Sequence, residues 1–374
     1  MNKILFLVNV DWAFIINRLP IAIAAKEKGY EVHIACHFTG KEKFLESFGF
    51  VMHSVSFNRN ASNPFKELLT LAKIYMLLRE IKPDLIHSIT IKPVLYGGLV
   101  CRLLPKCAFI AAISGLGIVY SSDVPRNVFL RKMTNIIYRI ILKGDAFKVI
   151  FQNSSDRKIL QDLAGLKDIN ISQIRGSGAD LKIFKLTDEP DGIPVVSMAC
   201  RLIKEKGIFE FFEAAKFIKS EGFSVKFQVI GSPDPGNSNS ITEDEIDMLK
   251  KDNVVKFLGH RDDVAEIFSR STIVAFPSYY GEGLPKVIIE AAACGRPVVT
   301  TSNPGCAEAV VEGLTGLIVP PQDSRALAEA ILTLLRDKKL RLEMGKNARL
   351  FAEKEFDVNS VVSKHLSIYS ELLS

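Results

Sequence analysis

The sequence predicts an α/β protein made of two doubly wound, parallel-sheet domains. Three observations predict it. The chain has 374 residues, too many for one ordinary core and about right for two. Short β-branched runs alternate with helical patterns in both halves, the signature of parallel strands covered by helices. Between the halves, LTDEPDGIP (residues 186–194) is short, acidic and rich in Pro and Gly, and reads as a linker.

In order, the first half places strands at 3–8, 31–36, 85–88, 108–113, 149–152 and 171–174. The second places them at 195–199, 226–230, 254–258, 273–276, 297–300 and 316–319, with helices between, such as 209–219, 241–250 and 324–336. The expected domains are 1–185 and 186–350, and residues 351–374 form a helix that packs back toward the first domain. Open α/β sheets bind ligands at the carboxyl ends of their strands, so two such domains make their natural site in the cleft between them.

Hydrophobic residues make up 48% and charged residues 24%, ample for globular cores. The six cysteines are scattered without a CxxC, which reads as reduced packing residues rather than zinc ligands or disulfides. The opening MNKILFLVNVDW meets Asp11 after a short apolar run, so it is a first strand rather than a signal peptide. The longest weakly polar run, 108–120, is too short to span a bilayer. Charge is uneven: residues 1–185 hold 26 Lys/Arg against 14 Asp/Glu, and the remainder 22 against 28. A basic half suggests an anionic partner, with undirected drift of surface charge as the alternative.

Chemistry is sought in the loops after strands. In YGEGLPKVIIEAAACGRPVV (280–299), a helix starts near Leu284 with Pro285 in its first turn, a favoured place for proline. Glu282 precedes the helix and Glu290 lies two turns along it. The amides of Gly283 and Leu284 and the helix dipole suit sugar hydroxyls or phosphate oxygens. A carboxylate accepts two hydrogen bonds from a vicinal diol. The plainer alternative makes Glu282 a capping acid and Glu290 a surface residue, although VII before Glu290 and AAACG after it are a poor setting for a solvated face. In ACRLIKEKG (199–207), Arg201 offers a fork for phosphate oxygens and Lys206 a mobile point charge, the compensation a diphosphate leaving group needs; the alternative is an exposed loop with ordinary salt bridges.

R-x4-K-G after the first strand of the second domain, followed some 80 residues later by E-G-L-P-x4-E, resembles the retaining glycosyltransferases of family GT4, which have the GT-B fold of two Rossmann-like domains facing across a cleft. The resemblance implies that Arg201 and Lys206 bind the diphosphate of a nucleotide-sugar donor. It implies that Glu282, Gly283 and Leu284 hold the hexose and that Glu290 takes the ribose hydroxyls. GHRDDV (259–264) stands where relatives hold the base, with Arg261 near it, and NPGCAE (303–308) marks another helix start. No DxD setting for a metal appears, and Asp262-Asp263 reads as a helix cap; the resemblance implies a metal-independent enzyme with no cofactor beyond its UDP-sugar.

DLIHSITIKP (84–93) resembles the family's D-x-x-H-x-H-T-x-K, with Ile89 in place of the second histidine. His87 is thus a catalytic candidate, a satisfied structural histidine being the alternative. SGLG (114–117) resembles a turn of GT4 enzymes that lengthen polyprenyl-diphosphate glycans, and its glycines, Gly117 among them, allow close backbone approach to a ligand. In NVDWAFIINRLP (9–20), which resembles the opening of the same enzymes, Asp11 either orients an acceptor hydroxyl or caps a helix. The segment 126–149, RNVFLRKMTNIIYRIILKGDAFKV, reads either as a basic amphipathic helix on anionic lipid or as a core-packed helix with a solvated basic face.

The expectation is a transferase that moves a hexose or N-acetylhexosamine from a UDP-sugar to a polyprenyl-diphosphate-linked saccharide in O-antigen or capsule assembly. It would be cytoplasmic and peripheral on the inner face of the membrane. The alternatives are a UDP-sugar epimerase of the same fold and a non-catalytic nucleotide-sugar-binding subunit. Nucleic acid is disfavoured, because the basic residues are interleaved with aliphatics more than with stacking aromatics.

Overall fold

The computed structural model describes residues 1–57, 64–104, 107–117, 120, 125–144, 146–234 and 236–374. Thirteen strands fall in two sheets. The first orders β3-β2-β1-β4-β5-β6-β7, with β1 Lys3–Val10, β2 Glu31–His37, β3 Val51–Ser54, β4 Leu85–Ile89, β5 Ala108–Ile113, β6 Phe147–Phe151 and β7 Ile171–Gln173. The second orders β10-β9-β8-β11-β12-β13, with β8 Val195–Ala199, β9 Lys226–Ile230, β10 Val255–Phe257, β11 Ile273–Phe276, β12 Val298–Thr301 and β13 Gly316–Val319. Every pairing is parallel, and in each sheet the strand order reverses once, between β1 and β4 and between β8 and β11. These are doubly wound, Rossmann-like sheets, and such reversals are where ligands gather.

Burial explains the strand sequences. β4 (LIHSI) and β5 (AFIAAI) are buried along their whole lengths, as strands covered on both faces must be. β3 (VMHS), which sequence reading did not find, is a short, half-exposed edge strand without an apolar run. Helix starts follow their caps. Thr242 and Glu245 form a reciprocal capping box, so the helix there runs Glu243–Lys251, two residues inside the expected start.

The chain divides into two compact units: Met1–Ser177 with Val358–Ser374, and Gly178–Asp357. The stretch 186–194 lies inside the second unit. Arg341 Nε and Nη2 each donate to Glu189 at 2.7 Å, and Arg296 donates to the carbonyls of Thr187 and Asp188 at 3.0 Å. Ala179, Leu181 and Phe184 belong to the second unit's core. The final helix, Val358–Leu373, buries Val361, His365, Ile368 and Tyr369 against Phe6, Phe14 and Ile21 of the first unit. Among the described residues, no helix is long and apolar enough to cross a membrane.

Candidate functional site

The carboxyl edge of the second sheet, at the β8/β11 reversal, carries six of the residues singled out by sequence: Arg201, Lys206, Glu282, Gly283, Leu284 and Glu290. The loop after β8 carries Arg201 and Lys206. The loop after β11 carries Glu282, Gly283 and Leu284 into the helix Lys286–Ala293, which holds Glu290. The two loops are pressed together. Gly207 has φ +81°, and a Cβ there would lie 2.3 Å from the Pro277 carbonyl oxygen, so only glycine fits. The carbonyl of Glu205 accepts from the Tyr279 amide at 2.9 Å and the Ser278 hydroxyl at 3.2 Å.

Across this junction Lys206 Nζ pairs with the Glu282 carboxylate, which also accepts from the Ser278 hydroxyl at 2.9 Å. Their side chains are 9% and 12% exposed, so the pair is shielded from bulk solvent yet reachable at its rim. The ammonium also lies 5.2 Å from the Tyr280 ring centroid, within cation–π range. Glu282 is not a helix cap: Pro285 holds the N-cap position. The short helix Pro304–Ala307 supports the loop from beneath. Gly305 approaches so closely that a Cβ would lie 2.0 Å from the Gly283 carbonyl oxygen, and the Asn303 amide donates to the Tyr280 carbonyl.

Arg201 pairs with Asp234, in the loop after β9. Glu290 takes Lys286 as its partner at 3.4 Å. Burial pushes its carboxyl above the usual range, and Lys286 only partly offsets this. Arg261 is exposed and donates from Nε to Asp263 at 2.7 Å; Asp263, expected as a cap, heads the helix Val264–Ser269 without capping it through its side chain. Asp234 and Ser278 were not found from sequence. Each is a single polar residue in a loop, with no spacing that ties it to its distant partner.

The first unit corrects one expectation and decides one alternative. His87 lies within β4 and has no exposed surface. Its Nδ1 and the Tyr369 hydroxyl are 2.7 Å apart, and its ring stacks on His365 at 5.6 Å. Burial, then His365 and Arg18, hold it well below the usual histidine range, so the ring is neutral. The catalytic role expected for His87 is therefore replaced by a structural one: the ring is buried in the core, held by the Tyr369 hydroxyl and stacked on His365. Asp11 is likewise structural. Its buried carboxylate accepts from the Trp12 amide at 2.7 Å, the Thr39 amide and hydroxyl at 2.6 Å, and the Lys41 amide at 3.2 Å. Gly117 is buried with φ +64°, the left-handed turn its loop requires.

Two Rossmann-like sheets, with a cation-bearing loop and a Glu-bearing helix start at the reversal of the second, define a GT-B class protein. Residues 180–351 match the model of Glycosyl transferases group 1, and residues 3–153 that of Glycosyl transferase 4-like proteins. The two matched segments, which together span most of the chain, are thus domains of the glycosyltransferase group 1 and GT4-like families.

It is 29% identical over 95% of both chains to N,N'-diacetylbacillosaminyl-diphospho-undecaprenol alpha-1,3-N-acetylgalactosaminyltransferase of Campylobacter jejuni. It is 28% identical to the capsular polysaccharide biosynthesis glycosyltransferase CapM of Staphylococcus aureus, covering 100% of this chain and 98% of the relative. Among solved structures, Anabaena Alr3699/HepE in complex with UDP superposes with a TM-score of 0.78 at 22% identity, covering 99% of this chain and 100% of that one. WaaG, a glycosyltransferase involved in lipopolysaccharide biosynthesis, superposes with a TM-score of 0.69 at 16% identity, covering 98% and 99%.

Proposed function

We propose that the protein transfers a hexose or N-acetylhexosamine from a UDP-sugar to a polyprenyl-diphosphate-linked saccharide in surface-polysaccharide assembly, with retention at the anomeric carbon and without a metal. The observation that carries the reading is the shielded Lys206–Glu282 pair at the β8/β11 reversal. The names of the two relatives, one acting on a diphospho-undecaprenol-linked sugar and the other in capsular polysaccharide biosynthesis, support the substrate classes.

In this reading Arg201 and Lys206 hold the donor diphosphate and supply the positive charge a metal would otherwise bring. Lys206 exchanges its carboxylate partner for phosphate oxygens when donor enters. Glu282 is then released to the sugar hydroxyls, beside the amides of Gly283 and Leu284. Glu290 accepts the ribose hydroxyls and Arg261 lies beside the base. The C1–O bond to UDP breaks as the acceptor oxygen forms its bond to C1 on the same face. The acceptor proton passes to the departing β-phosphate oxygen, so no protein nucleophile is needed.

Membrane association is the second part of the reading. The helix Pro125–Ile141 exposes Phe129, Met133, Ile136 and Ile140 at helical spacing, beside exposed Lys132 and Arg139. The helix Pro64–Ile81 exposes Phe65, Leu68 and Met76. Both pack beside the helix Ile91–Cys101 on the first sheet. Apolar side chains among exposed cations suit the surface of an anionic bilayer. The enzyme would then work as a peripheral protein on the cytoplasmic face.

A panel of labelled UDP-sugars with membrane extract as acceptor tests the activity. One donor should label an organic-soluble product, and Glu282→Ala should lower that rate at least a hundredfold. Wild-type rates from the variant would refute the assigned roles.

A further inference from the structure

Among the described residues, Arg18 is a buried cation with no anion beside it. It stands midway along the helix Asp11–Glu27 and is 2% exposed. Its Nη1 donates to the Asn17 carbonyl at 2.9 Å. Its Nη2 reaches only the Ser114 hydroxyl, at 3.5 Å, and among the described residues its Nε has no partner. The titratable groups facing it are Tyr369 and His365 of the final helix and His87 of β4. All three are neutral at pH 7: burial raises the tyrosine and depresses both histidines. Burial brings Arg18 itself down to about 10, so it too keeps its proton at neutral pH.

A guanidinium has five donors, and leaving most of them dry and unpaired is costly. The poorly satisfied donors are Nε and Nη2, the two that share one edge of the fork. That edge grips two oxygens of a phosphate or carboxylate at once. It faces Ser114, half-exposed at the end of β5, where the chain turns through Gly115 (φ +103°) and Gly117 (φ +64°). The neighbouring strand ends are also polar. The Asn9 side chain, near the end of β1, donates from Nδ2 to the Thr90 hydroxyl after β4 at 2.8 Å, and its Oδ1 has no partner among the described residues. Thr90 holds φ +71°, a strained value for a β-branched residue. This is the β1/β4 reversal of the first sheet and the strand beside it, the place where a doubly wound sheet receives ligands.

We propose that Arg18 and Ser114 form an oxyanion site in the first unit that takes a phosphoryl group, supplied either by the nucleoside diphosphate donor or by a polyprenyl diphosphate acceptor. The proposal rests on the transferase reading above, in which both substrates carry a diphosphate. The open edge of the guanidinium takes two phosphoryl oxygens, and the Ser114 hydroxyl, 3.5 Å from Nη2, donates to one of them.

Calorimetric titration of UDP and of a short-chain prenyl diphosphate into the wild type, Arg18→Met and Ser114→Ala tests this. Arg18→Met should weaken one of the two ligands at least tenfold, and Ser114→Ala the same ligand several-fold. The affected ligand identifies the phosphate's source. Wild-type affinity for both ligands in both variants overturns the Arg18 site and leaves the transferase reading intact. Failure of the wild type to bind either ligand refutes both. Should Arg18→Met not fold, Ser114→Ala carries the decision alone: a weakened ligand supports the site and unchanged affinities overturn it.

Discussion

Asp11 opens one helix and Glu282 lies in the loop before another, and the structure uses them in opposite ways. Asp11 is spent on its own backbone. Burial raises its pKa, but hydrogen bonds from Thr39, Trp12 and Lys41 outweigh that and leave it below the usual aspartate value. Its stabilising effect is therefore complete above the unfolded value near ~3.9 and fades as pH falls through the lowered folded value. Asp11→Asn should cost about 1–3 kcal/mol at neutral pH in denaturant titrations, and the gap to wild type should close in acid. Glu282 instead keeps a cation, Lys206, that a phosphate can claim. The sequence made the site side of this contrast readable through E-G-L-P-x4-E and R-x4-K-G. It did not reveal that Ser278 is the second partner of Glu282, because a lone serine four residues upstream carries no pattern. Nor could it separate a core histidine from a catalytic one at His87. Only the final helix, 282 residues further on, supplies the Tyr369 hydroxyl that decides it.

Among the elements, buried apolar runs were the most legible, and edges and connections the least. Strands covered on both faces are mostly apolar, so their limits were read to within a residue or two, whereas β3 at the sheet edge has no such run. The stretch 186–194 shows why composition misleads. Asp188 and Asp191 are indeed exposed, but Glu189 is paired with Arg341, with side chains 10% and 5% exposed. Breaking a shielded pair leaves a charge stranded, so Arg341→Ala should cost about 3–5 kcal/mol in chemical denaturation. On the helix Pro125–Ile141, Ile136 is 51% exposed and supports nothing beneath it. Ile136→Asp should leave the melting temperature near wild type yet reduce flotation with anionic liposomes severalfold. Unchanged flotation would remove the lipid-facing role of this helix.

At the scale of the molecule, each unit has its own parallel sheet and its own cores, and the chain returns to the first unit only with Val358–Ser374. That last helix is structural cargo for the first sheet. Truncation after Asp357 would uncover Phe6, Phe14 and His87 and should give aggregated protein, visible by size-exclusion chromatography, while a soluble, monodisperse product would contradict the packing. The division of labour follows from the chemistry of the two carboxyl edges. The second carries paired cations and carboxylates suited to a nucleoside diphosphate sugar. The first carries Arg18, whose open edge is the one proposed above for a phosphoryl group. The double winding was legible because it repeats as alternating patterns; the crossing points were not, because Ala179, Phe184 and Phe356 look like any other apolar residues until their partners are known.

The central claim is that the cations of the loop after β8 hold a diphosphate, and calorimetric binding of UDP tests it most directly. Charge-assisted hydrogen bonds of about 1.5–3 kcal/mol imply that Lys206→Met weakens UDP by roughly ten- to a hundredfold. Arg201→Met should weaken it as well, with both variants still folded. UDP bound by Lys206→Met and Arg201→Met as tightly as by the wild type would contradict the account.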